Sequence, residues 1–258
     1  MKHISYSELK MWAECPRKHK LVYIDKEKGF QGNEYTAFGS SLHALCENAI
    51  QDRIQETEFD DFFDEHFDRE LERLGSQYER RQELISDMRV QAKTISPQIL
   101  PNVKEKFGEY EVVSVEEKLY EKIMNFSLDK IVFKGYIDLV IKTTDGKYHI
   151  IDWKSCSCGW DREKRNSKLI TYQLTLYKKF FCQKHNIDPK IVETHFALLK
   201  RTAKKDNVEI FRVTSGPKKT SNATDLLYKA LTNINRKMYI KNRLSCKGCE
   251  FYKTKLCP

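Results

Sequence analysis

The chain has 258 residues, enough to bury a full core, and its 46 Lys and Arg against 37 Asp and Glu leave a net charge of +9. No apolar run approaches the roughly 18 residues of a membrane helix, and the Met-Lys-His-Ile-Ser-Tyr start has no apolar signal region. Residues 1–100 carry a net −5 and residues 101–258 a net +14, which argues against an evenly soluble surface and predicts a polyanion on one side of the fold.

Ser5 and Ser7 precede an amphipathic run (Leu9, Met11, Trp12), and either serine can cap a short helix. Cys15-Pro16 marks a helix break or first turn, followed by the basic patch Arg17, Lys18, His19, Lys20. Residues 29–35 read as a loop, and a helix is predicted over about 36–55. Gly39, Ser40 and Ala44 keep one of its faces small, and His43 lies between Leu42 and Leu45. A histidine on such an apolar face is ordinarily a satisfied core residue.

Residues 57–107 are acidic and helical in period, with Phe59, Phe62, Phe63, Phe67, Leu71 and Leu74 on one face. A second helix, about 78–95, is predicted to end before Pro97 and Pro101. This stretch reads as a helical insertion packed on the core. Strands are then predicted over about 111–122, 125–134, 136–143 and 147–153. Glu116 and Glu117 interrupt the first of them and point to opposite faces, and alternation does not say which one faces a site.

The centre of the chain runs from Gly135 to Lys154. Two apolar, β-rich runs flank an Asp145-Gly146 turn, the pattern of a hairpin. Asp138 lies among Ile137, Leu139, Val140 and Ile141, where an acid is costly to bury unpaired. Asp152 and Lys154 share one face of the second strand and Trp153 points to the other. Two carboxylates and a lysine brought together in this way suit a divalent metal and a phosphodiester. The residues alone fit a hairpin with two structural ion pairs equally well.

Cys156 and Cys158 follow in a small-residue turn, then a basic loop with Arg162, Lys164, Arg165 and Lys168. A helix over about 167–185 carries Gln173 and Tyr177 four apart, hence on one face. Strands are predicted over about 191–201 and 208–213 around a basic turn containing Lys204 and Lys205, and a last helix over about 222–242. The tail holds Cys246, Cys249 and Cys257, three thiolates in twelve residues that need a fourth ligand to close a tetrahedral or cubane site. Eight cysteines without a signal region imply a reducing compartment, with thiols that are free, catalytic or metal-bound.

Taken in order, Cys15-Pro16, Gly39-Ser-Ser-Leu-His43, Gly135-Tyr-Ile-Asp138, Asp152-Trp-Lys154, Gln173-Leu-Thr-Leu-Tyr177 and Cys246-x2-Cys249-x7-Cys257 give a set that spans nearly the whole chain. The chain resembles the RecB-like branch of the PD-(D/E)xK nucleases, in particular its iron–sulfur members, the CRISPR-adaptation nucleases and the stand-alone exonucleases of phage genomes. The resemblance implies an α/β fold, a restriction-endonuclease-like core with a mixed central sheet flanked by helices, in one domain over 1–258. Residues 57–107 would be the helical insertion, and 1–25 and 244–258 would be joined by a metal cluster. It implies His43, Asp138, Asp152 and the Trp153 carbonyl as ligands of Mg²⁺ or Mn²⁺, Lys154 as the catalytic lysine, and Gln173 and Tyr177 as residues that position DNA and that lysine. It further implies Cys15, Cys246, Cys249 and Cys257 as ligands of a 4Fe–4S cluster, with zinc as the alternative.

The expected activity is metal-dependent hydrolysis of DNA phosphodiesters, as an exonuclease at single-stranded or frayed ends, with possible endonuclease activity. Arg162, Lys164, Arg165, Lys168, Lys204 and Lys205 are expected along the DNA, with weak sequence preference and strong salt dependence. The alternative is a non-catalytic DNA-end-binding module of a recombination, replication or CRISPR-adaptation complex. The expected setting is the cytoplasm of a bacterium or a phage-infected cell, without a membrane partner.

Overall fold

The computed structural model describes residues 3–75, 78–124 and 131–258. Its first strand, β1 (His3–Ser5), leads directly into α1 (Tyr6–Glu14). Ser5 caps this helix, its hydroxyl accepting from the Glu8 amide at 3.2 Å. Cys15 then breaks the path in an extended conformation, and Pro16 opens the short α2 (Pro16–His19), where its missing N–H costs nothing.

The next helix, α3 (Glu34–Ile50), starts two residues earlier than its apolar spacing suggests, because Asn33 and Thr36 form a reciprocal capping box. It stops at Gln51, before Asp52 takes a left-handed conformation at φ 56°. The acidic stretch folds as α4 (Phe59–Arg73), α5 (Gln82–Ile95) and α6 (Ile99–Phe107). The last of these departs from expectation. Pro97 sits in a single 3₁₀ turn and Pro101 in the first turn of α6, positions where proline removes no helical hydrogen bond.

The sheet is built from β2 (Tyr110–Lys122), β3 (Val132–Thr143), β4 (Tyr148–Cys156), β5 (Val192–Lys200) and β6 (Val208–Val213), with β1. Its order is β1-β3-β4-β5-β6, with β2 paired to the other edge of β3. The two strands expected over 125–134 and 136–143 are replaced by the single β3; residues 125–130 lie outside the described residues. β3 and β4 form the expected antiparallel hairpin, with Gly146 supplying φ 80° at the turn. The β4–β5 pair is parallel, so the sheet is mixed. Its crossover contains α7 (Arg162–Asn166) and α8 (Lys168–His185). The final helix, α9, runs Pro217–Asn235 rather than 222–242. Gly216-Pro217 starts it, and Lys237, left-handed at φ 55°, lies just past its end.

Helices cover both faces of this sheet. On one face Leu174, Phe180 and Phe181 of α8 and Leu227 and Leu231 of α9 pack on Phe133, Ile150 and Phe196. On the other, Phe38 of α3, Phe63 and Phe67 of α4 and Met88 of α5 pack on Leu139, Ile151 and Trp153. Phe38 and Phe67 are fully buried and meet edge-on. Replacing Phe67 with alanine is expected to cost about 3–5 kcal/mol in chemical denaturation. No helix among the described residues is long and apolar enough to cross a membrane.

Candidate active site

The site begins where the hairpin comes apart. β3 and β4 pair from Lys142↔Tyr148 to Leu139↔Ile151 and no further. Lower on the same edge of β3, β1 pairs with Val132, Phe133 and Lys134. Between these two neighbours Gly135 to Asp138 face a gap. Asp138 partly closes it: its Oδ2 accepts the Trp153 amide at 2.8 Å, in place of a ladder bond. His43 Nδ1, from α3, lies 3.5 Å from the same oxygen.

Asp152 points to the opposite face of β4 and is 1 % exposed. It contacts Lys154 Nζ at 2.5 Å and accepts from Gln173 Nε2 at 2.9 Å. The second proton of that amide reaches the Tyr177 hydroxyl at 3.2 Å, so the two α8 residues act as one bracket under Asp152. Gly135 makes this possible, because a Cβ there would lie 2.8 Å from the Tyr177 ring. Gly135→Ala is therefore expected to push Tyr177 and Gln173 away from Asp152. It should cut any activity of the site at least tenfold with little change in the far-UV spectrum, measured as initial rate beside circular dichroism.

Two residues extend the carboxylate set. Glu47 lies one helical turn after His43, and both line a small cleft with Gly39, Ser40, Ala44 and Glu116. Glu116 takes a left-handed conformation at φ 51° within β2. Glu117 turns to the far side, where it meets Lys184 at 2.5 Å and His185 at 2.9 Å. The fork thus gathers Asp138, Asp152, Glu116 and Glu47 around Lys154 and His43. Burial, then Asp152, pushes the Asp138 carboxyl well above its ordinary range. Burial, then Asp138 and Glu47, pushes Glu116 up to about 7. Burial alone would lower the Lys154 ammonium, but Asp152 and Asp138 outweigh it and hold it raised. Burial and Lys154 together lower His43.

Carboxyls that retain protons near neutrality mark an excess of negative charge, which a cation would relieve. Carboxylate oxygens, one imidazole and a nearby carbonyl form a donor set that fits Mg²⁺ or Mn²⁺. Protons compete for the raised carboxyls, so cation affinity is expected to fall as pH drops through about 7, by up to tenfold per unit for each proton displaced. Calorimetric Mn²⁺ titrations at pH 6 and pH 8 check the sign; equal affinity at both would contradict it.

A larger groove, of about 1360 Å³, reaches the fork from the side of α1 and α9. Asp138 and Tyr177 line its inner end, and Lys134, Tyr136, Lys237, Tyr239, Tyr23 and Lys26 its walls. None of these wall residues is a site residue on the sequence pattern alone, although Tyr136 lies within the Gly135-Tyr-Ile-Asp138 motif and Lys134-x-Tyr136 and Lys237-x-Tyr239 repeat a basic–aromatic spacing. The residues expected along DNA sit elsewhere. Arg162 and Arg165 line a separate hollow with Phe211 and Lys219. Arg165 is held by Glu209 at 2.7 Å and the Trp160 carbonyl at 2.8 Å, over the Phe211 ring. Lys164 stacks over Trp160, while Lys168, Lys204 and Lys205 are exposed.

The chain ends meet at Cys15. The Asn242 amide approaches Cys15 Sγ at 3.4 Å, and the Arg17 guanidinium donates to the Leu256 carbonyl at 2.9 Å. Leu21, Phe251 and Cys257 form a small apolar cluster that Cys249 packs against. Cys246 and Cys249 are joined by a turn, the Cys249 amide donating to the Cys246 carbonyl at 3.1 Å. No disulfide joins any of the eight cysteines.

A mixed sheet between helices, opened at a strand fork that holds two aspartates and a lysine, is a nuclease architecture. A model of the PD-(D/E)XK nuclease superfamily matches residues 3–258, and the chain belongs to that superfamily. No curated protein matches it. Among solved structures, a protein from Eubacterium rectale named a "putative exonuclease" superposes with a TM-score of 0.58 at 14 % identity, covering 91 % of this chain and 80 % of that one. A second structure, SSO0001, gives a TM-score of 0.45 at 12 % identity over 97 % and 84 % of the two chains.

Proposed function

We propose that this chain is a metal-dependent deoxyribonuclease of the RecB-like branch, acting as an exonuclease at single-stranded or frayed DNA ends. The observation that carries this reading is the fork itself. It brings together Asp138, Asp152 and Lys154, with Gln173 bracing Asp152, and its Asp138 and Tyr177 line a groove walled by tyrosines and lysines. The name of the similar Eubacterium rectale protein agrees with it.

Mg²⁺ or Mn²⁺, bound by His43, Asp138, Asp152 and the Trp153 carbonyl, would supply Lewis acidity and an acidified water. The protein's own groups do the rest. Lys154, with its raised pKa, stays an ammonium and acts by charge rather than as a base. It stabilises negative charge developing on the phosphate, while its contact with Asp152 fixes its position. Gln173 keeps Asp152 in one orientation, and Tyr177 borders the phosphate path. Tyr23, Tyr136 and Tyr239 offer faces on which unpaired bases stack, and Lys26, Lys134 and Lys237 neutralise the backbone. Stacking on aromatic faces needs bases free of a duplex, which favours single-stranded or frayed ends over intact helix. Arg162, Lys164, Lys168, Lys204 and Lys205 would carry DNA beyond this groove.

Cys15, Cys246, Cys249 and Cys257 would hold a 4Fe–4S cluster that fastens the two ends of the chain, a structural role. The meeting of the tail with Cys15 supports it. Anaerobically purified protein should be brown; colourless protein containing zinc at these thiols would overturn it.

The activity is tested by a time course on 5′- and 3′-labelled single- and double-stranded DNA with Mg²⁺, Mn²⁺ or EDTA. Metal-dependent shortening from an end, fastest on single strands, is expected. Binding without cleavage of any substrate would favour a non-catalytic end-binding module.

A further inference from the structure

A second metal-ligating cluster lies on the opposite face of β4 from Asp152. His149 is the cross-strand partner of Glu193 on β5, and Ile151 that of His195. His149, Glu193 and His195 thus lie together on the face of the sheet that α3 and α6 cover. His149 Nδ1 and His195 Nε2 are 3.1 Å apart, and Glu193 Oε2 lies 4.0 Å from the first and 3.8 Å from the second. A circle through three points at those separations has a radius of about 2.1 Å. That is the length of a zinc–nitrogen or zinc–carboxylate bond. Among the described residues this is the one group of three His, Cys, Asp or Glu side chains whose ligand atoms all lie within 4.8 Å of one another.

The surroundings orient the donors. The Thr143 hydroxyl donates to Asp145 at 2.5 Å, so its lone pairs face His149 Nε2, 3.1 Å away. His149 therefore carries its proton on Nε2, and its Nδ1 lone pair points at His195. Arg212 binds the other carboxylate oxygen of Glu193 at 3.2 Å, leaving Oε2 for the imidazoles. Phe107, at the end of α6, covers the pair with ring centroids 4.8 and 5.0 Å away. The two histidines are 7 % and 2 % exposed.

We propose that His149, Glu193 and His195 bind one divalent transition metal, of the zinc class, as a clip between β4 and β5. Two imidazoles and one carboxylate match zinc better than magnesium, which prefers six oxygens. The clip sits three residues before Asp152 on the same strand and holds the register of the segment that carries Asp152, Trp153 and Lys154. It takes no part in cleavage and shares no ligand with the fork.

Equilibrium dialysis of the full chain against micromolar zinc, with metal content read by mass spectrometry, tests this. His149→Gln and Glu193→Gln should each lose one equivalent relative to wild type, with affinity lowered at least hundredfold, while Asp152→Asn keeps it. Zinc should raise the thermal midpoint of wild type and of Asp152→Asn but not of the two clip variants. Glu193 is the partly exposed member, so Glu193→Gln preserves the fold, which circular dichroism verifies. Equal zinc content in wild type and Glu193→Gln would overturn the proposal, as would loss of that equivalent in Asp152→Asn.

Discussion

Lys154→Ala is expected to slow single-turnover DNA cleavage by about 10³-fold while changing DNA affinity by no more than about threefold. The side chain lies within the site, its ammonium against Asp152 and 5.9 Å from the centre of the Phe196 ring. A charge held in place against the buried Asp152 carboxylate acts on the transition state far more than on the bound ground state, because it is already oriented toward the charge that develops there. Affinity comes instead from groove residues such as Lys134, Tyr136, Lys237 and Tyr239, which the substitution leaves in place. Lys154→Arg retains the charge but places a planar fork where a point charge fits, and should recover only part of the rate. Rates with the enzyme in excess, beside fluorescence anisotropy for binding, separate the two effects. A tenfold or greater loss of affinity with an unchanged cleavage step would move Lys154 from chemistry to binding.

Cys257→Ser is expected to abolish the brown colour and lower the thermal midpoint by roughly 10–20 °C. A cross-link between Cys15 and Cys257 closes a loop of almost the whole chain, and loop-closure entropy puts its contribution at about 5 kcal/mol. For a chain of this length that corresponds to a shift of the stated size. The tail is otherwise fastened by small contacts: the cluster of Leu21, Phe251 and Cys257, the Lys18–Glu250 pair at 2.8 Å, the Arg17–Leu256 bond, and the Asn242 and Ser245 side chains, which donate to the Glu14 carbonyl at 2.8 and 2.7 Å. Retained colour and an unchanged midpoint would remove Cys257 from the ligand set. Limited proteolysis should cut the variant first between Asn235 and Pro258, where the last long helix has ended.

The hairpin from β3 to β4 was legible because its signals are local. Period-2 apolar runs and an Asp-Gly turn need only neighbours in sequence, and they place Asp138 and Asp152 on adjoining strands. Motif order then linked distant residues, and the structure brings His43 and Gln173 to the same fork. Residues whose position depends on backbone details were not legible. Glu116 owes its conformation to a left-handed residue inside a strand, which alternation cannot predict. Glu47 follows His43 by one turn, but a single acid one turn from a histidine is common on helices and that spacing alone says little. The groove tyrosines come from β3, the α9 end and the segment after α2, so only the fold brings them together. Pro101 is a helix-stop signal because proline usually ends a helix; only its place in the first turn of α6 lets the helix continue. The cluster of His149, Glu193 and His195 went unnoticed because it depends on β4 and β5 being parallel neighbours in one register.

The fork as the cleavage centre is tested most directly by a Mn²⁺ titration of wild type and Asp138→Asn, read as binding enthalpy and as single-turnover cleavage of labelled single-stranded DNA. Asp138 receives the Trp153 amide and faces His43, so asparagine keeps the shape while removing the charge. The variant is expected to lose Mn²⁺ binding at the fork and at least 10³-fold in cleavage together, with DNA binding retained. Wild-type cleavage by Asp138→Asn, at any Mn²⁺ concentration, would place the chemistry elsewhere in the molecule.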